Sequence, residues 1–202
     1  MNEPIVPKNT RFLVSSSPRY ELDAASEVWH CLYVNKIAEE INVFFIRTKD
    51  RSIGGLIAIC FDADPLIAVR KIREYLYKKP WILRYTLRIV PVEIVTTNLN
   101  ILIAAIDEAV SKRLDQNSLW KIRVSKHATK LSSRKIISQI ADRISIGKVS
   151  LENPDWIINI EIIRNTYLGS VIRPDDIIVK KAFHEKIKKT KLLEYIENQQ
   201  IT

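Results

Sequence analysis

Two hydrophobic periodicities alternate along residues 11–95, and their order restricts the chain to very few folds. Residues 11–16 (RFLVSS) are strand-like, and Ser17 and Pro18 end them. Leu22, Ala25, Trp29, Leu32, Tyr33 and Ile37 then recur about every 3.6 residues, which predicts a helix over 19–40. Residues 42–47 (NVFFIR) form a second expected strand, followed by a charged turn over 48–52. The apolar run 55–61 (GLIAICF) marks a strand covered on at least one face. Asp64 and Pro65 open a helix well, an acidic N-cap followed by proline at the first position. That helix carries Leu66, Val69, Ile72 and Leu76 on one side and stops at Lys79 and Pro80. Residues 84–95 (RYTLRIVPVEIV) alternate as a strand with a phase change at Pro91, where the missing donor predicts an edge or a bulge. The resulting order, β-α-β-β-α-β, is the split pattern of ferredoxin-like domains.

The second half repeats the mixture in another order. A helix is expected over 98–114, apolar at Leu102, Ile106, Ala109 and Val110. Residues 120–127 (WKIRVSKH) alternate strictly, with Trp120, Ile122 and Val124 toward a core and Lys121, Arg123 and Ser125 facing out. Ser132 or Ser133 caps a helix to about Ile144, buried through Ile136, Ile137 and Ile140, and Gly147 follows its end. Residues 156–163 form an apolar strand interrupted by Asn159 and Glu161, and a turn at Asn165 pairs it with 167–172. The tail from Lys181 is helical but poorly amphipathic, which predicts a solvated or loosely docked helix. The fold class expected is therefore α+β, with a ferredoxin-like domain at 1–80, a second α/β domain at 81–180 and a basic tail at 181–202. The first boundary is soft by some ten residues, because the strand carrying Pro91 fits either domain.

Charge then separates the halves. The formal charge is +9, of which +5 lies in residues 81–180, with 15 basic residues against 10 acidic. Residues 112–135 hold eight cations against the single acid Asp115. A basic strand running into the start of a basic helix is the electrostatic footprint of a polyanion site. The densest set is Lys121, Arg123, Lys126, Lys130, Arg134 and Lys135, with His127 between them. Exposed backbone N–H groups and the helix dipole favour phosphate at such a junction. Lys112, Arg113 and Arg143 read as solvated helix faces, Arg88 and Glu161 as partners for nearby opposite charges.

Other chemistries find no pattern here. Four glycines, at 54, 55, 147 and 169, build neither a dinucleotide loop nor a P-loop. His30, His127 and His184 stand far apart without metal-ligand spacing, and the deaminase signature is missing. The stretch 153–156 (NPDW) departs from the base-amino methyltransferase tetrapeptide at Asp155 and reads as a turn before a buried strand. Neither cofactor nor metal is expected. Cys31 and Cys60 read as reduced core residues of a cytoplasmic protein, and no apolar run is long enough to span a bilayer.

The opening RFLVSSSPRYELDAASEVWHCL resembles the ferredoxin-like domain that precedes THUMP domains. Residues 120–135, then SQIADRISIGKVSLENPDWIINIEI and YLGSVI, resemble the second half of a THUMP domain. The order is similar to stand-alone THUMP proteins of the yeast Tan1 and human THUMPD1 type, archaeal members included. That resemblance implies binding of the tRNA acceptor stem and its CCA end, with no DNA and no membrane as partner. It also implies an adaptor, itself no enzyme, presenting tRNA to a tRNA cytidine acetyltransferase that makes N4-acetylcytidine. By position, Arg123, Lys126, Lys130, Arg134 and Lys135 match the family's RNA-contacting region. Two other classes stay open: an RNA-modifying enzyme of the methyltransferase type, and a protein-interaction module whose charge serves solubility.

Overall fold

A computed structural model describes residues 5–47 and 53–200, the last ten by backbone alone. Ten strands and five helices are seen among them. β1 (Thr10–Ser16), α1 (Glu21–Val34), β2 (Ile41–Ile46), β3 (Leu56–Phe61), α2 (Pro65–Lys78) and β4 (Thr86–Pro91) come first. β5 (Ile94–Thr96), α3 (Leu99–Arg113), β6 (Leu119–His127), α4 (Ser133–Ala141) and β7 (Lys148–Val149) follow. β8 (Trp156–Ile163), β9 (Thr166–Ile172), β10 (Ile178–Val179) and α5 (Lys180–Gln200) complete the chain. The expected turn at 48–52 lies outside the described residues.

The first sheet has the order β10-β4-β1-β3-β2 and is antiparallel throughout. Its β4-β1-β3-β2 portion, threaded β-α-β-β-α-β, has the ferredoxin-like arrangement. The second sheet has the order β5-β9-β8-β6-β7, with β6 parallel to both β7 and β8. The α+β class is therefore as the sequence predicts. Asp64 caps α2 as expected, its carboxylate accepting from the Leu66 and Ile67 amides at 2.8 and 2.9 Å.

Alternation over 84–95 conceals two strands rather than one. β4 pairs with β1 in the first sheet, while β5, three residues on, pairs with β9 in the second. The chain changes sheets at the phase change. The Val92 amide still donates to Arg11 of the β1 side at 2.8 Å, so the nitrogen of Pro91 faces the other way, beyond the short β10. Proline is tolerated because no ladder bond is required there. β10 then brings residues 178–179 back to β4, so sheet membership does not follow a cut at residue 80.

Three apolar clusters explain the layering. Phe12, Val14, Ile57 and Ile59 meet α1 and α2 on one face of the first sheet. Leu13, Leu56, Ala58 and Val90 on its other face meet Ile157, Ile163, Leu168 and Ile172 of the second sheet. Ile158, Ile160, Ile162 and Val171 turn away and pack on α3 and α4. With both faces covered, β3 is buried along its whole length. Gly169 lets α3 approach β9 closely, since a Cβ there would lie 2.6 Å from Leu102. The tail, expected to be solvated or loosely docked, is docked at its start, where Phe183 and Ile187 are buried in the first cluster.

Candidate nucleic-acid interface

Period-two alternation assigns residues of β6 to faces, and the structure shows what covers each face. Trp120 lies in the helix-side core with Ile122 and Val124 packed against it, as expected. The opposite face, holding Lys121, Arg123, Ser125 and His127, is aligned with Ile157, Asn159, Glu161 and Ile163 of β8. It looks toward the first sheet, not toward open solvent. Arg123 is accordingly half-buried, and the outward reading of this residue is corrected. The sequence pattern reports that Arg123 and Lys121 share a face, but not that a second sheet packs on it.

A polar seam runs through that interface. Arg88 of β4 donates to Glu161 Oε1 at 2.6 Å, and His127 Nε2 lies 3.2 Å from Glu161 Oε2. Asn159 Nδ2 donates to Glu161 at 3.4 Å. The Glu161 carboxylate is nearly inaccessible, with its side chain 1% exposed. Burial pushes its pKa up, but the His127 hydrogen bond and the Arg88 guanidinium outweigh that, and the carboxyl is held below its usual range. Arg123 shows the opposite balance. Burial and the neighbouring Arg88 charge lower its pKa, only partly offset by Glu161. Arg88 and Glu161 thus pair as expected, across two sheets.

The solvent-facing part of the basic set is the corner between β6 and α4. Ala128 turns the chain with φ +48°. Lys126, on the helix side of β6, is exposed and donates from Nζ to the Leu131 carbonyl at 3.0 Å. Ser132 caps α4, its hydroxyl accepting from the Lys135 amide at 3.4 Å. Ile136 and Ile140 anchor the helix, leaving Lys130, Arg134 and Lys135 exposed. Among the described residues none of these three side chains forms an ion pair. The first turn of α4 carries Arg134 and Lys135 and no acid. Cations there oppose the helix dipole, so this arrangement costs stability while summing two positive fields at one place. Beyond residue 120, the outer edge of β6 has no strand partner among the described residues. Its N–H and C=O groups are open beside the same corner.

The seven residues predicted for the site therefore divide. Lys126, Lys130, Arg134 and Lys135 gather at the corner. Lys121 is half-buried and donates to the Leu151 carbonyl at 3.0 Å, while Arg123 and His127 belong to the seam. Arg113, expected as a solvated cation, is a clamp: it donates to both carboxylate oxygens of Glu93 and to the Val171 carbonyl. Lys112 does pair on an exposed helix face, with Glu108 four residues earlier.

The fold is a mixed α+β one with an acid-free cationic corner at the start of α4. A THUMP domain family model matches residues 97–171, from the start of α3 to the end of β9, so the chain contains a THUMP domain. That domain implies RNA binding. No curated protein matches the sequence. Among solved structures, the chain is similar to PH1313 from Pyrococcus horikoshii, with a TM-score of 0.55 and 14% identity over 81% of this chain and 55% of that one. TrmN from Thermus thermophilus follows at 0.49 and 12%, over 81% and 46% of the two chains. A 4-thiouridine synthetase solved with RNA and ATP stands at 0.49 and 15%, over 81% and 41%. The first of these likenesses supports the fold. The chain spans about half the length of these structures.

Proposed function

We propose that the protein is a non-catalytic tRNA-binding adaptor of the Tan1/THUMPD1 type. It holds the acceptor stem and CCA end at the β6–α4 corner and presents the tRNA to a separate cytidine N4-acetyltransferase. The THUMP match to residues 97–171 supports the RNA, and the resemblance of the overall element order to stand-alone THUMP proteins supports the adaptor. One observation carries the placement: Arg134 and Lys135 stand at the positive end of α4, without acids to balance them. Structure alone gains nothing from cations there, whereas a phosphate gains from both charge and dipole. Lys126 and Lys130 extend the same patch toward β6.

Binding of tRNA across a salt series tests this. Neutralising about 4–6 phosphates gives a slope of log K against log salt of about −3 to −5. Alanine at Lys126, Lys130, Arg134 and Lys135 flattens that slope by about 3. An unchanged slope moves the site elsewhere. The adaptor role is tested separately, by mass spectrometry of tRNA nucleosides from cells with and without the gene. Selective loss of N4-acetylcytidine is the expected result. Retention of acetylcytidine with loss of a methylated base refutes it in favour of a methyltransferase.

A further inference from the structure

The ends of the two sheets are not equally protected. Of the four terminal strands, β10 and β7 have two residues each and β5 has three, short edges of the kind that limit pairing with other chains. The unpaired outer stretch of β6 carries Lys121, Arg123 and Lys126. β2 has none of these devices. It is six residues long, INVFFI, with no proline, glycine or charge, and among the described residues nothing pairs with its outer edge. Every residue of its inner neighbour β3 is buried, yet Phe44 and Phe45 remain 44% and 37% exposed on opposite faces of β2. Two phenylalanines half in water on an open ladder are poorly explained by a monomer.

We infer that β2 pairs antiparallel with β2 of a second copy of this chain, joining two first sheets into one across a two-fold axis. Charge at the two ends of the strand selects this occupant. Glu39 and Glu40 precede β2 and Arg47 follows it, all exposed. A two-fold perpendicular to the sheet keeps each face on its own side, so paired residues must both be odd or both be even. With Val43 opposite its own copy, Ile41 meets Phe45, Asn42 meets Phe44, and Glu39 meets Arg47. Apolar residues then face apolar ones over the helix side, and an ion pair closes each end. A partner strand of other sequence has no such built-in match. Pairing of six residues is a modest interface, so the dimer depends on concentration.

Analytical ultracentrifugation of the full chain over a concentration series reads this directly. Wild type moves from monomer to dimer mass with rising concentration, and Phe44→Lys stays monomeric. Arg47→Glu sets like charges against each other and weakens the dimer about tenfold or more, while Glu39→Arg with Arg47→Glu restores it. Hydrogen exchange in wild type shows slower exchange of β2 amides at high concentration. A wild-type chain that is monomeric throughout overturns the inference. So does a dimer insensitive to Arg47→Glu, or one that the double reversal fails to restore.

Discussion

Removing Arg88 exposes how much the seam contributes. Glu161 is enclosed, its side chain 1% exposed, and Arg88 is its nearest partner at 2.6 Å. Arg88→Met keeps much of the stem volume but leaves the carboxylate with its His127 and Asn159 contacts and the neighbouring Arg123 charge alone. Breaking one side of a buried pair costs about 3–5 kcal/mol, because the remaining charge is desolvated without compensation. The cost has a pH signature with a definite sign. In the wild type Glu161 titrates below its unfolded value, so its contribution is present above that value and is lost as pH falls through the folded one. In Arg88→Met two of the influences that lower the folded pKa are gone while burial remains, so that pKa rises and the contribution at neutral pH shrinks. The penalty is therefore largest near pH 7 and shrinks as pH falls, disappearing only below the lowered wild-type value, where both forms are protonated. Urea unfolding followed by fluorescence of Trp120 and Trp156, both in the helix-side core of the second sheet, measures it. Glu161→Gln in the Arg88→Met background recovers a large part of the loss. A penalty under about 1 kcal/mol at pH 7, or one equal at pH 7 and pH 4, would refute the reasoning.

Two further outcomes follow from local geometry. The Cys31 thiol is buried and its pKa is pushed up to about 12, chiefly by burial and further by Glu27. In the native protein it resists a thiol reagent at pH 8 and reacts only in denaturant, and rapid native labelling would show the α1 core to be open. Gly147 sits at φ +73°, where an added Cβ would lie 2.4 Å from the Ser118 carbonyl oxygen. Gly147→Ala lowers stability by about 1–3 kcal/mol in the same urea assay, and a neutral result would mean that the 118–147 contact relaxes freely.

Most of the secondary structure was legible because long patterned segments announce their own type. The runs 156–163 and 167–172 gave β8 and β9, and Asp64 with Pro65 fixed the start of α2. Tertiary placement was less legible, for physical reasons visible at particular residues. Alternation continues through Pro91 because β4 and β5 are both extended, although they belong to different sheets. Two-residue strands such as β7 and β10 have no periodicity to read. Lys36, at φ +49°, ends α1 early without glycine or proline to mark it. Arg123 is the clearest case, since a period of two identifies a face and is silent on its covering. For the same reason four of the seven site residues gather at the corner, while two belong to the sheet interface.

The seam also bears on the adaptor role proposed for this protein. An adaptor that positions RNA needs a fixed distance between the RNA-holding surface and whatever its other domain contacts. A hinge between the two sheets would blur that distance. Three charge clamps oppose one: Arg88 with Glu161 between sheets, Arg113 with Glu93 where the chain enters the second sheet, and Arg70 with Asp176 where it returns. Asp176 is 1% exposed, accepting from Arg70 at 2.8 and 3.0 Å and from the Arg173 amide at 2.9 Å. Buried ionic contacts add little net stability over apolar packing, but they penalise misplacement steeply, since each shifted partner leaves an uncompensated charge. On this reading Arg123 and Arg88 act on geometry and the α4 cations on affinity. Arg123→Ala should then weaken tRNA binding little and leave the salt slope nearly unchanged, whereas Arg134→Ala reduces the slope by about 0.7–0.9. Equal effects of the two substitutions on the slope would place RNA in the seam and undo this division.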